Sequence, residues 1–540
     1  MTIKPHIRKL LSSKTFIALV VIFALGATVH DMFYKYFYRD EVFMALNVRH
    51  YQDSPMAPLT FYIGHLVTDI FGDTLIALRW LKSILYFLTI GFGCIFFYRV
   101  TGKGKAAWYL FALFSLTSCI AAMDIYNWDT GSYPFMVLSL ISALAYNNHR
   151  DLKHSLIMGI CCGLMTASRV TNVAALPFLI LLIFLSRDRL SSKFRDTAAY
   201  LIAFAVTLGV ILLVIYGSPH RVLTAWSEDN IITGHGSDIA SILRIIDGID
   251  GLTLLLSLAW MLSTVCLLFG IIALRIHRYR LVGVVLMALA TCLYTRAFNH
   301  FDWSIHMCLW QLPAFIFLFM PQISCMFGHH PHDKTIRITL TQWILLLFML
   351  LPGVGSDNFY ERIAPMVFMP LLLAYDYKRH RRFIIASCAF MGCAIMTLAF
   401  YKTVGPHISP RTHLASISPR LNHIYYKTAE ASDFENHKHI YDQLTDRGFN
   451  PTYIGTDRYT YLYLFAPDNL YSLQHFHYIS FANEKKYLKN LRNFDAIIVN
   501  DPVYEGTDSI AFRSYLHTLG FKDSSPTFAP LPSTTRIYLR

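Results

Sequence analysis

Apolar runs of roughly 17–25 residues, the length that crosses a hydrocarbon core of about 30 Å, recur along this chain. Thirteen spans can be drawn, the fifth and sixth of them short, over 14–30, 75–98, 106–122, 133–147, 155–168, 171–186, 197–216, 251–274, 281–297, 306–326, 336–352, 363–377 and 383–401. A backbone in lipid must satisfy its own polar groups, so each span is a helix. Composition agrees: 55% of the 540 residues are hydrophobic, 15% are charged and the mean hydropathy is +0.42. A soluble multidomain protein is excluded.

Charge sets the orientation. RVTGKGK, NNHRDLKH, RDRLSSKFRD, RIHRYR, HHPHDKTIR and YKRHRR alternate along the chain with MDIYNWDTGS, WSEDNIITGHGSDIA, NHFDWS and GVGSDNFYERIAP. The first set is basic and the second acidic or rich in Gly and Asn, which places the N-terminus inside and the C-terminal tail outside. The net charge of +13 is thus a matter of topology and anionic headgroups, and no nucleic-acid partner is implied. MTIKPHIRKLLSSK and the apolar KTFIALVVIFALGATVH read as a retained signal-anchor helix. The ten cysteines lie in or beside apolar runs with no metal-type spacing. Cys161-Cys162 reads as a pair of small residues at a helix contact.

The segment 402–540 is polar and rich in Tyr and His. PTYIGT and DAIIVND read as buried strands, whereas FENHKHIYDQLTDRG (with Gly448 as its cap), EKKYLKNLRNF and SIAFRSYLHTLG read as helices. The expected architecture is a polytopic α-helical domain over 1–401 and a small extracytoplasmic α/β domain over 402–540. Tyr459, Tyr461 and Tyr463 alternate as in a strand; core packing suits them better than stacking on sugars.

The ionisable residues crowd the outer side. Asp40, Glu41 and Asp53 fall in the first outer loop, Asp124 and Asp129 in the second, and Arg169 between two half-length spans. His300, Asp302 and His306 lie around the tenth span, with Asp357, Glu361 and Arg362 after the eleventh. A charge near the bilayer core costs roughly 2.5–3.5 kcal/mol, so such groups are functional candidates. Transfer of a group from a lipid phosphate would use them: a carboxylate takes the proton of an acceptor hydroxyl, and a cation neutralises the leaving phosphate. The sequence lacks a Gly-rich nucleotide loop, consistent with a lipid-linked donor.

YFYRDEVFMALNVRHYQDSPMAP, at 36–58, joins the Asp-Glu pair, a short amphipathic interfacial helix and a Pro-x-x-Pro-Leu turn. This order resembles the GT-C superfamily of membrane glycosyltransferases, above all the branch of protein O-mannosyltransferases and the bacterial lipid A aminoarabinose transferase. That branch has Asp-Glu in its first outer loop and a Glu-Lys-Pro-Pro-Leu-x-Tyr-Trp turn. Here the turn runs Asp53-Ser54-Pro55-Met56-Ala57-Pro58-Leu59-Thr60-Phe61-Tyr62, with Asp53-Ser54 replacing Glu-Lys. Asp124 and Asp129 share the place of the family's second-loop carboxylate. GLMTASRVTNVAALPFLILL is similar to its Gly-Leu-x-x-x-Thr-Lys-Gly hairpin, with Arg169 near the basic position. The likeness spans about 14–186; beyond that it is architectural.

The resemblance implies a polyprenyl-phosphate sugar donor and an extracytoplasmic acceptor, which could be glycan, lipid or protein. It implies Asp40 as general base with Glu41 as the alternative, and Arg169, Arg362 and His300 at the donor phosphate. Asp124, Asp129 and Asp53 would be supporting carboxylates, and the transfer would be inverting. A divalent metal ion is compatible with the site but not required. Composition and resemblance imply a bacterial inner membrane. Two other readings stand: a transporter or lipid flippase, and a non-enzymatic envelope protein acting through its tail. The first fits less well because the charges gather at outer helix ends and no repeat is visible.

Overall fold

The computed structural model describes residues 13–34, 39–116, 126–186, 189–224, 411–455, 458–471, 485–500, 506–528 and 535–540, with Leu10, Val282, Val285, Leu371, Phe481 and Leu531. The six spans expected from 251 to 401, and so the total of thirteen, lie outside these residues.

The membrane part begins with α1 (Lys14–Tyr34) and a short α2 (Arg39–Arg49). A 3-10 turn at Tyr51–Asp53 leads to α3 (Pro58–Phe71), α4 (Leu75–Thr101) and α5 (Gly104–Ser115). Then come α6 (Tyr133–His149), α7 (Leu152–Ser168), α8 (Leu176–Ser186) and α9 (Leu190–Tyr216). Among the described helices α1, α4 and α9 are long and apolar enough to cross a membrane. Their outer faces are apolar as well as exposed: Leu19, Ile22 and Phe23 on α1, and Ile202, Val206, Val210 and Val214 on α9. The α9 residues recur every four positions, one stripe of a helix turned toward lipid.

Two expectations are corrected here. The first outer loop holds a second helix, α3, where only a turn was expected. Pro58 occupies its first turn, where the missing N–H is no loss and the fixed φ favours helix. Secondly, α2 is not an amphipathic interfacial helix: every residue from Glu41 to Val48 is buried.

The expected pairing of α7 with its neighbours rests on small residues. A Cβ on Gly159 would meet Tyr200 O of α9 at 2.4 Å, and one on Gly163 would meet Phe204 O at 3.0 Å. Backbones this close need glycine. Cys161 and Cys162 are buried beside them, and Tyr200 Oη lies 3.2 Å from Cys162 Sγ.

The C-terminal segment carries α/β structure. A two-stranded ribbon, β1 (Arg411–His413) and β2 (Tyr425–Lys427), precedes α10 (Thr428–Asp446). Gly448 ends that helix at φ +85°, with Phe449 N donating to Leu444 O over 3.1 Å, a left-handed cap that favours glycine. A four-stranded sheet follows, in the order β3 (Pro451–Gly455), β4 (Ala496–Asn500), β6 (Arg536–Leu539), β5 (Lys522–Asp523). β3 and β4 are parallel and wholly buried, and β6 runs antiparallel to β4. The two expected strands are β3 and β4. EKKYLKNLRNF forms 3-10 turns over Lys485–Asn493 where a helix was expected, and SIAFRSYLHTLG is helical through Thr518, the end of α12 (Gly506–Thr518).

The tyrosine alternation is not a strand. Tyr459, Tyr461 and Tyr463 sit on α11 (Arg458–Phe465), and all three are buried. A helix buried on every side shows no amphipathic period, so alternation misleads there.

Candidate active site

Helix α3 is the scaffold on which the outer-side residues meet. Thr60 sits in its first turn. Its Oγ1 donates to Ser168 O at 2.8 Å and lies 3.2 Å from Trp128 O. Tyr126 Oη donates to Thr60 O. Val170 N donates to Met56 O at 3.0 Å. The Pro turn, the second outer loop and the break after α7 are thus sewn together by side chain and backbone. Gly131 completes the seam: a Cβ there would lie 2.3 Å from Thr60 Oγ1.

Asp129 and Arg169 form a buried ion pair at this seam, Arg169 Nη1 donating to Asp129 Oδ1. Asp129 is 0% exposed and Arg169 5%. Both are placed by local structure. Asn127 Oδ1 accepts from Asp129 N at 3.1 Å and from Thr130 N at 3.0 Å, a side-chain turn that fixes the loop. Arg169 caps α7 in extended backbone, its N–H bonded to Met165 O over 3.1 Å. Asn172 Nδ2 donates to the same Met165 carbonyl, also at 3.1 Å.

One turn along α3, Gly64 receives α2. A Cβ on Gly64 would stand 2.7 Å from Val48 Cγ2 and 2.9 Å from Tyr126 Cε1. Thr60 and Gly64 share a helix face, so one face of α3 touches both the helix that carries Asp40-Glu41 and the loop before Asp129. Asp40 lies at the start of α2, and its side chain lies outside the described residues. Glu41 is 2% exposed and held by both arms of a guanidinium: Arg79 Nε donates to Oε1 at 2.8 Å and Nη2 to Oε2 at 2.9 Å. Arg79, itself 0% exposed, also donates to Met32 O at 2.6 Å. This pair ties the end of α1 and the start of α2 to α4. A carboxylate with both oxygens engaged by one guanidinium suits anchoring better than proton abstraction.

Arg79 is the residue that sequence reasoning missed. It stands inside an apolar run read only as a span, and its signal was a charge near the outer end of that run. Asp53 is exposed at the end of its 3-10 turn. Asp124, His300, Asp302, His306, Asp357, Glu361 and Arg362 lie outside the described residues. Among the described residues no group of three His, Cys, Asp or Glu side chains comes together to hold a metal ion. The two buried carboxylates on the outer side among the described residues, Glu41 and Asp129, are each bonded to an arginine. These residues do not fit a metal centre.

Residues 53–216 match the family described as dolichyl-phosphate-mannose-protein mannosyltransferase. The match favours transfer chemistry over the transporter reading. The matched segment holds Asp53, Asp124, Asp129 and Arg169, and Asp40-Glu41 precede it. A comparison with curated proteins finds no match. Among solved structures, the oligosaccharyltransferase AglB of Archaeoglobus fulgidus, with an inhibitory peptide and a dolichol-phosphate, aligns at 13% identity and TM-score 0.42, covering 90% of this chain and 69% of that one. The apo form of the Archaeoglobus fulgidus oligosaccharyltransferase aligns at 14% identity and TM-score 0.43, covering 90% and 70%. Its complex with Zn and sulfate aligns at 14% and 0.41, covering 89% and 68%.

Proposed function

We propose that this protein moves a sugar from a polyprenyl-phosphate donor to an extracytoplasmic acceptor, with inversion at the anomeric carbon. Asp40 takes the proton of the acceptor hydroxyl. The acceptor oxygen bonds to the anomeric carbon as the bond from that carbon to the phosphate oxygen breaks. The electron pair leaves with the polyprenyl phosphate, whose charge faces Arg169, helped by Arg362 and His300. One displacement on a phosphate-linked sugar inverts its configuration. The supporting observation is the buried Arg169–Asp129 pair at the α3 seam. A fixed guanidinium needs no reorganisation when the leaving phosphate gains charge.

The same reading puts the N-terminus in the cytoplasm and the tail outside, in a bacterial inner membrane. It divides the chain into a transfer domain, 1–401, and an extracytoplasmic α/β domain, 402–540.

The test is transfer of label from a panel of radiolabelled polyprenyl-phosphate sugars to an envelope extract by the purified protein. Asp40→Asn should reduce the rate by about 10²–10⁴-fold, the contribution of a positioned base, with unfolding unchanged. Full activity in that variant would remove Asp40 from the centre. No transfer by the wild type from any donor would overturn the donor class.

A further inference from the structure

Helix α2 needs cover on every side, because its residues 41–48 are all buried. α3 and α4 cover one side, through Gly64 against Val48 and Arg79 against Glu41. The C-terminal segment covers another. Phe43 packs on Tyr459 of α11 with ring centroids 4.8 Å apart. A single apolar cluster runs from Val42, Phe43 and Leu46 through Tyr459 and Leu462 to Ile498 of β4.

Polar contacts close the far end of α2. Arg49 Nη1 donates to Asp73 Oδ2 at 2.7 Å, and its Nη2 to Asp468 Oδ1, also at 2.7 Å. Arg420 Nε donates to the same Asp73 oxygen at 3.1 Å, and its Nη1 to Leu464 O at 3.3 Å. His50 Nε2 lies 3.1 Å from Pro467 O. Four charges from three parts of the chain thus alternate in sign: Asp468, Arg49, Asp73, Arg420. Burial works against the charge on Arg49, and Asp468 and Asp73 outweigh it, so its pKa is raised. Arg49 stays cationic through any working pH.

We infer that Asp468 and Arg420 are positioning residues for transfer: through Arg49 and Asp73 they lock the end of α2 opposite Asp40-Glu41. Arg79 pins the near end of that helix at Glu41, about 12 Å from Arg49 at 1.5 Å per residue, and the C-terminal segment pins the far end. A rod held at both ends presents the base at its tip in one place, and small displacements there cost large factors in rate. The catalytic part of this inference rests on the function proposed above; the mechanical part does not.

The experiment uses the full chain in nanodiscs and two substitutions, Arg420→Ala and Asp468→Ala, singly and together. The Asp468 side chain is 75% exposed, so its single variant tests the lock without threatening the fold. Hydrogen exchange is read in α2, in β4 as a check on the C-terminal core, and in α6 as a distant reference. The expected result is exchange about tenfold faster in α2, with β4 and α6 unchanged. Wild-type protection of α2 in all three variants would overturn the inference. In the transfer assay kcat should fall about three- to tenfold with KM for the donor unchanged, and Arg420→Lys with Asp468→Glu should recover most of it. Full kcat in the double variant would overturn the positioning role. If the wild type transfers no sugar at all, the proposed function falls while the exchange result still decides the lock.

Discussion

Glu41 and Arg79 meet with almost no water around them, and such a pair behaves asymmetrically under mutation. Removing one partner strands the other charge in the interior and costs about 3–5 kcal/mol; replacing both with matched uncharged groups costs far less. Glu41→Gln and Arg79→Ala should each lower the unfolding free energy by that amount. Glu41→Gln with Arg79→Met should lose clearly less than the sum of its single variants. A double-mutant cycle by denaturant titration in detergent gives the number, and additive losses would mean that the two residues do not act as a pair. The residue scale is also where reading the sequence was most uneven. Asp40-Glu41 and Arg169 stood out because charges beside long apolar runs are rare. The pairing of Arg169 with Asp129 was not legible: Asp124 and Asp129 are equivalent by position, and only the Asn127 turn and the Thr60 bridge show how Asp129 is placed. Arg79 was hidden because a hydropathy window averages one charge into its apolar neighbours.

Elements follow their local signals where one face is solvated or lipid-exposed. α1 and α4 start where expected, α9 ends where expected but starts at Leu190 and not at 197, and Gly448 ends α10 as its position suggests. The errors fall on α2, α3 and α11, where tertiary context decides. Pro55 and Pro58, three positions apart, look like a turn although the second opens a helix, and a fully buried helix has no period to read. Contact between elements was invisible in the same way, although glycine spacing hinted at it. Gly159 and Gly163 lie four apart on α7, facing α9. Gly159→Ala should push α7 away from Tyr200 and cost roughly 1–3 kcal/mol, the range for overpacking. The shift carries to Arg169, which caps α7, so transfer should fall with stability. Gly209→Ala is the control, because nothing lies within 4 Å of its added Cβ; with the better helix propensity of alanine it should be neutral or slightly stabilising. Equal stability in the two variants would show that the close approach is absent.

At the scale of the whole molecule, the core shared by α2 and the C-terminal sheet makes one titratable group matter far from its own position. His437 on α10 is buried, and its ring stacks on Tyr461 with centroids 3.9 Å apart. Burial disfavours its charged form and lowers its pKa from 6.5 to about 4. Above pH 6.5 the imidazole is neutral in the folded and unfolded chain alike, and nothing is lost. As pH falls below 6.5 the unfolded chain takes up a proton that the fold refuses, so stability declines by up to about 1.4 kcal/mol per pH unit until about pH 4. The total is roughly 3 kcal/mol. Tyr461 and Phe43 belong to one apolar cluster, so the loss should be felt by the helix that carries Asp40-Glu41 as well as by the sheet. Hydrogen exchange from pH 7 to pH 4.5, corrected for the intrinsic pH dependence of exchange, should show α2 and β4 losing protection together, while α6 keeps its own. His437→Phe should flatten the loss in both. Were β4 to weaken with acid while α2 held, the two parts of the core would be independent, and the C-terminal segment would be a passenger on the transfer domain.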